Sequence, residues 1–533
     1  TRNASALGAQ GRAVVFPDGA AQILPAGLEA WTEEFTGAGG TSVVVYDAGV
    51  RGRGGAFLER GLFTDLIGVN MVTYSEHKAD LYCYGHFRFR DGKAAKFLQI
   101  PSGKLDEENF LSGYTYGRLL YPMARAEALP GLRRTELLAA VYAKNDGKAY
   151  PGLVLRGSGK GRVFYANMPL GRDKSFSDDL PLRAFLRTAL FKAGRIPHLA
   201  NTPEAKGGIV VNWHIDSSAE HTGIPWAIKN GYFSRSLKYS IDITAGDFRD
   251  RPEDGLGFDA CGKGSTLVKE LMRYGTIGSH GGWGHNWFAE NIVSGKFGKA
   301  EIEAEIRRNN ECLSSITGYA VREYAAPEGV HTPETTAVLE RLGVKGYYYT
   351  GDTGSGPNRT FLGSAMVSDK VFAFPVMPFG KEASLYEMKR AGKSLEEVSA
   401  WLRSVAEFAE RNRTVRLIYS HIYDIENNYP QAVMDLEALL ERKQAEGRIK
   451  VDTMEYFASF IERLLKTSYT FSFEESGLGF SASNPGHLGE IAVALPAEKY
   501  REPEGRNVSR DSDGYFYVAL KNTREDSFFA PKR

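Results

Sequence analysis

Cysteine is scarce in this chain. Three occur among 533 residues, at 83, 261 and 312, with no CxxC spacing. An odd, widely spaced trio excludes a disulfide framework and leaves room for one bridge at most. An excess of either charge is also missing. Lys and Arg number 66, Asp and Glu 65, and the net charge is +1, so the basic surplus of a nucleic-acid-binding domain is absent. No apolar run approaches 18 residues, which excludes a transmembrane helix as read from sequence. The chain opens on Thr1 with no charged n-region or apolar h-region, and we read it as a mature form or an excised piece. A GxGxxG fingerprint is absent. Cys83 sits in LYCYGH near His86 but lacks the G-x-C-x-G surround of a nucleophile elbow.

What remains is an ordinary globular composition, 42% hydrophobic and 25% charged, in a chain long enough for about three domains. Residues 1–200 carry strand-like runs at Ala13–Phe16, 42–46, 137–142 and 162–166 and a helical pattern at 180–192. Alternating strand and helix predicts a parallel sheet with helices on its faces, and we expect a flavodoxin-like accessory α/β domain there. The small, polar stretch 200–208 reads as a linker.

The pattern then restarts over 205–470. Strands are predicted at 208–216, 236–243, 276–280, 320–325, 346–350 and 416–420. Helices are predicted at 299–316, 394–412 and 430–446. Repeated strand–helix units of this length fit a (β/α) barrel, complete or distorted. Residues 471–533, with Ser, Gly, Asn and Pro between short alternating runs, read as a small β module.

Four features of the middle region carry chemistry. Asp216, in WHIDSS, ends an apolar strand, where sites of parallel α/β folds form. His280 and His285 flank Gly-Gly-Trp283-Gly after another strand, and two imidazoles five residues apart on a glycine-rich turn can face one cation. Arg322-Glu-Tyr324-Ala-Ala-Pro327-Glu-Gly ends a third strand. Finally, Leu417-Ile-Tyr419-Ser-His421 ends the last one. An N-cap role for Asp216 and a structural role for His421 are the competing readings of each alone.

In this order and spacing, the four resemble the polysaccharide deacetylase family, the NodB-type or family-4 carbohydrate esterases. Its motifs are an Asp-Asp pair, H-[ST]-x-x-H, Arg-x-Pro-aromatic, an Asp/Trp segment that Asp352 would represent, and Leu-x-His. The resemblance covers about half of the chain. The departures mark a divergent branch. One acid of the pair is replaced in His214-Ile-Asp216, one extra residue separates the two histidines, and Arg322 stands three residues before the expected position. In this the chain is similar to the deacetylases of Pel-type bacterial exopolysaccharide and of fungal galactosaminogalactan.

The resemblance implies a metal-dependent hydrolase that releases acetate from N-acetylated amino sugars. Asp216, His280 and His285 would hold a divalent metal, with Ser218, Glu220 or His221 nearer to it if Asp216 is the base instead; the metal would be Zn2+, with Co2+, Ni2+ or Mn2+ as alternatives. Asp216 or His214 would be the base, and His421 the proton donor. Trp283, Arg322, Tyr324, Pro327, Asp352 and Tyr419 would contact substrate. The implied partner is an N-acetylated polysaccharide, with exopolysaccharide export proteins besides. The implied location is the periplasm or the cell exterior, in biofilm-forming physiology. A carbohydrate-binding protein on the same scaffold and an O-acetyl esterase are the rival functions.

Overall fold

The computed structural model describes residues 13–70, 82–114, 117–173, 180–349, 356–362 and 365–533. In the N-terminal half the strands are β1 (Ala13–Phe16), β2 (Thr41–Val45), β3 (Tyr82–Phe89), β4 (Tyr121–Ala124), β5 (Leu137–Ala143), β6 (Ala149–Ser158) and β7 (Gly161–Ala166). They form one seven-stranded sheet in the order β1-β2-β7-β6-β5-β3-β4. Only β1, β2 and β7 run parallel, and the remaining four pairings are antiparallel. The wholly parallel, flavodoxin-like sheet expected from sequence is therefore corrected to a mixed one. The reason is local. β5, β6 and β7 follow one another through tight turns at Asp146-Gly147 and Gly159-Lys160, too short for the helical crossover that parallel neighbours need. Within β3, Cys83 and His86 are three residues apart and so lie on opposite faces. His86 Nδ1 meets the Leu119 carbonyl at 3.0 Å, and no Cys–His pair forms.

The linker expected at 200–208 is itself pinned. β8 (His198–Leu199) pairs with β20 (Ala492–Pro496) of the C-terminal module, and the Ala200 N–H donates to the Ala492 carbonyl. Beyond it run the barrel strands β9 (Gly207–Ile215), β10 (Tyr239–Ile243), β11 (Gly275–His280), β12 (Glu323–Ala325), β13 (Gly346–Tyr349), β14 (Asn358–Leu362), β15 (Ala365–Pro375), β16 (Val415–His421) and β17 (Ile449–Val451). The path is β14-β15-β13-β12-β11-β10-β9-β16, with β17 on the lower part of β9. Every pairing except β14–β15 is parallel. A bridge from Val376 to Leu417 brings the two ends of the sheet together, so the expected barrel is present in distorted form.

Its strands read as buried parallel strands do. All nine residues of β9, GGIVVNWHI, are buried. Helices cover the outside, among them α1 (Lys299–Thr317), α2 (Leu385–Arg390), α3 (Leu395–Asn412) and α4 (Pro430–Ala445). α1 buries Ile302, Ile306 and Leu313, spaced to lie on one face, and ends at Gly318 in the left-handed region. α3 starts on a capping box, with the Glu397 N–H donating to Ser394 Oγ and Ser394 N–H to Glu397 Oε2. One disulfide, Cys261–Cys312, ties the loop after β10 to α1, and Cys83 takes no part in it.

The last segment forms two small antiparallel sheets, matching the expected β module. Among the described residues, no helix is long and apolar enough to cross a membrane.

Candidate metal-binding active site

The carboxyl ends of β9, β11 and β16 deliver four histidines and one aspartate to one cavity of about 670 Å³. Asp216 follows β9 and is fully buried. No hydrogen bond reaches either of its oxygens. Its Oδ2 lies 3.4 Å from His285 Nε2 and 3.4 Å from His421 Nε2. Burying a carboxylate without hydrogen bonds costs several kcal/mol, a cost that adjacent positive charge, a protonated His421 or a bound cation, offsets.

The two histidines of the glycine-rich turn meet at Nε2–Nε2 3.0 Å. Their other nitrogens decide which atom carries the proton. His280 Nδ1 is 3.1 Å from the Ala325 carbonyl, which can only accept, so Nδ1 is the N–H. Asn286 gives its amide N–H to Asp250, so its oxygen accepts from His285 Nδ1 at 2.6 Å. Both Nε2 atoms therefore present lone pairs to each other at contact distance. Two lone pairs and an unpartnered carboxylate oxygen pointing together are the donor set of a divalent cation. One donor atom from each of Asp216, His280 and His285 lies within 4.8 Å of the others.

Local sequence produces this turn. Gly281 has φ +82°, and a Cβ there would stand 2.2 Å from Pro327 Cγ. Only glycine permits both the left-handed backbone and the approach.

His214 and His421 complete the group. His214, inside β9, is buried, and its Nε2 meets Asn212 Oδ1 at 2.8 Å. Asn212 Nδ2 donates to the Ser240 carbonyl and Asp242 Oδ2, so its oxygen is the acceptor and His214 carries its proton on Nε2. Burial depresses the His214 pKa well below the ordinary histidine value, so the ring is neutral. His421 is the last residue of β16, rather than the first beyond it. Its Nδ1 faces Asp424 Oδ2 at 3.2 Å while its Nε2 faces Asp216. Burial would lower its pKa, but the Asp216 and Asp424 carboxylates outweigh burial and raise it to about 10. Donor atoms of His214, His280 and His421 also cluster within 4.8 Å.

The predicted substrate contacts fare unequally. Tyr419 lines the cavity, with its ring on those of His214 and Tyr348 at centroid distances of 5.2 and 5.1 Å. Trp283 does not. The Arg308 guanidinium lies 4.0 Å above its ring, and the indole packs into the core outside the sheet. Tyr324 is misassigned by one step of strand parity. Successive side chains of β12 alternate, so Tyr324 is buried with Phe288, Ile306 and Val338 under the outer helices. Arg322 precedes β12, at the opposite mouth of the barrel, and donates to the Gly343 carbonyl at 2.7 Å. Pro327 buttresses Gly281, while its neighbours Ala326, Glu328 and Gly329 line the cavity. Asp352 lies outside the described residues.

The sequence reading missed Arg249, Tyr348, Glu387 and Tyr114. Arg249 follows the carboxyl end of β10, and the strand-end rule that found His280 applies to it equally. It lines the cavity, and its Nε makes no hydrogen bond. Glu220 is fully buried, one oxygen accepting from the Tyr423 N–H, and burial pushes its pKa well up. Tyr114 comes from the N-terminal half, and no motif marks it.

The strand ends of the barrel thus bring together a histidine pair, a carboxylate and a further histidine, a group that could hold a metal ion. Residues 257–347, which carry His280 and His285, match the family model for polysaccharide deacetylases, in agreement with the resemblance read from the sequence. No curated protein matches the chain. Among solved structures, a Mycobacterium smegmatis protein assigned to the polysaccharide deacetylases is similar at 13% identity and TM-score 0.34, covering 51% of this chain and 96% of its own. A family 4 carbohydrate esterase from Streptomyces lividans, solved with acetate, is similar at 10% identity and TM-score 0.27, covering 46% and 91%. BA3943, a family 4 pseudoenzyme from Bacillus anthracis, is similar at 12% and 0.29, covering 48% and 66%. At these scores the assignment rests on the family match.

Proposed function

We propose that this protein is a metal-dependent hydrolase that removes N-acetyl groups from an extracytoplasmic polysaccharide of N-acetylated amino sugars. The observation that carries the reading is the convergence of the His280 and His285 lone pairs on the unpartnered Asp216 carboxylate. These three residues would hold the cation, Zn2+ by the chemistry of an imidazole and carboxylate set, with Co2+, Ni2+ and Mn2+ as alternatives. When bound, it would polarise the acetamide carbonyl and acidify the attacking water.

The chain's own residues supply the proton movements. Asp216 and His214 are the two groups placed to accept a proton from water, His214 through Nδ1, since Asn212 occupies Nε2. His421, held between two carboxylates, is placed to give a proton to the departing nitrogen. Water and amide are thereby converted to acetate and a free amine. Tyr419, Tyr348 and the exposed Tyr386 offer ring faces to sugar units along the cavity. A secreted or periplasmic setting, an exopolysaccharide of biofilms as substrate, and export proteins as partners follow from the same reading.

The test is acetate release from N-acetylglucosamine and N-acetylgalactosamine oligomers by the full chain, before and after chelation and after adding back each metal. Release that stops with chelator and returns with metal supports the reading. Metal uptake without release from any N- or O-acetylated glycan would leave a binding protein on a deacetylase scaffold. Release from O-acetylated glycans alone would make it an esterase.

A further inference from the structure

The cavity wall is not built by the barrel alone. Tyr114 follows a short strand, Ser112–Gly113, of the N-terminal half, yet its side chain is buried in the barrel's own core with Val210, Ala325, Tyr348 and Phe372. The segment that carries it docks closely. The Gly380 N–H donates to the Gly103 carbonyl at 2.8 Å, and a Cβ on Gly103 would stand 1.9 Å from the Pro378 carbonyl oxygen. Ser102 Oγ and Ser404 Oγ are 2.7 Å apart. Glycine at 103 is what allows the two backbones to touch.

The Tyr114 hydroxyl donates to Glu387 Oε1 at 2.5 Å and stands 3.3 Å from the Tyr419 hydroxyl. Glu387 cannot drift, because its other oxygen accepts the N–H groups of Ala383 and Ser384 at 2.8 and 2.9 Å. With its proton committed to a carboxylate, Tyr114 can only accept from Tyr419. Tyr419 in turn packs on His214. Tyr114, Tyr386, Glu387 and Arg390 line the same cavity as Asp216 and His421. At about 670 Å³ that cavity falls in the range that holds a drug-sized ligand, more room than one acetamido sugar needs.

We infer that Tyr114 is a specificity-determining residue of the active site, supplied by the N-terminal half. Its ring forms the wall that receives the sugar unit next to the reacting one, and its bond to Glu387 fixes that wall. The site is thereby shaped for a chain of amino sugars rather than an isolated unit. This inference rests on the deacetylase reading above.

The test uses the metal-loaded full chain and its Tyr114→Ala and Tyr114→Phe variants. Acetate release is followed on N-acetylglucosamine and N-acetylgalactosamine oligomers of one to six units, with metal content and Tm measured on the same preparations. Ser404→Ala, at the same junction but outside the cavity, is the control. The expected result is normal metal content in all variants. For Tyr114→Ala, KM for the longer oligomers should rise about tenfold while kcat falls less than threefold, so that the preference for longer chains is lost. Tyr114→Phe, which keeps the ring, should restore most of that preference, and Ser404→Ala should leave KM unchanged. Equal losses on monomer and hexamer, a fall confined to kcat, or wild-type KM values in Tyr114→Ala would overturn the inference while leaving the deacetylase intact. A wild-type chain that releases acetate from no oligomer would end the deacetylase reading and this inference with it.

Discussion

The two large sheets of this molecule end differently. In the barrel, successive parallel strands all point their carboxyl ends to one mouth, and Asp216, Arg249, His280, Ala326 and His421 meet there although they span more than two hundred residues. In the N-terminal sheet only β1, β2 and β7 run together, and the hairpins that follow send alternate strand ends to opposite edges. That sheet gathers tyrosines and an aspartate, Tyr46, Asp47 and Tyr165, but Asp47 already accepts from the Gly19 N–H and from Gln22. The barrel's Asp216 accepts from nothing. The lesson is that a common strand direction collects groups at one mouth, whereas hairpins disperse them.

The sharpest way to break this contrast is His280→Ala. Removing one of two facing lone pairs should abolish metal binding and bring acetate release down to background, as seen by metal analysis and product assay on one sample. Retained stoichiometric metal would show that the donor set lies elsewhere, for instance on His214 and His421.

A smaller loss is expected at His421, which is placed as a proton donor and not as a ligand. His421→Ala should lower kcat and kcat/KM together by on the order of 10²–10⁴-fold, with KM and metal content unchanged. A folded, metal-replete variant with wild-type turnover would remove His421 from the chemistry.

The halves also differ in covalent support. Cys261–Cys312, 51 residues apart in sequence, lies wholly in the barrel half. Cys261→Ser should cost about 2–4 kcal/mol of stability by chain-entropy reasoning. Denaturant unfolding followed by near-ultraviolet dichroism measures it. An unchanged midpoint would mean that packing of the loop onto α1 suffices without the bond.

A further contrast concerns pH. Glu437 of α4 is 5% exposed, and Tyr239 Oη donates to it at 2.5 Å. Burial raises its pKa from 4.5 to about 8. Between those values the folded chain holds a proton that the unfolded chain has lost, so this group's contribution is full below pH 4.5 and declines as pH rises to 8. The slope is at most about 1.4 kcal/mol per pH unit. Glu437→Gln should remove that decline, and its stability relative to wild type should grow from pH 5 to pH 8. Parallel stability curves for the two proteins would show that the carboxyl ionises normally.

Much of the barrel and the heart of the site could be read along the chain. The mostly apolar, wholly buried run of β9, the helical spacing of Ile302, Ile306 and Leu313, and Asp216, His280 and His421 at strand ends are local patterns, and short-range periodicity and turn chemistry determine them. The position of Tyr419 followed from the same strand. Where the reading failed, some deciding features were local and others were contacts between distant parts of the chain. Tyr324 looked like a site residue until strand parity turned it outward. Trp283 lost its place to Arg308 on a helix twenty-five residues away. The N-terminal sheet became mixed because the hairpins through Gly147 and Gly159 pair strands that a helix count assigned to parallel crossovers. Tyr114 carries no signal of its own, and only the docking of Gly103 against Pro378 brings its hydroxyl to Glu387 and Tyr419. Periodicity determined which residues stand at strand ends. Only the tertiary structure decided which of them share a cavity, because the parallel pairing of the barrel strands and the docking of the segment that carries Tyr114 bring together backbones far apart in sequence.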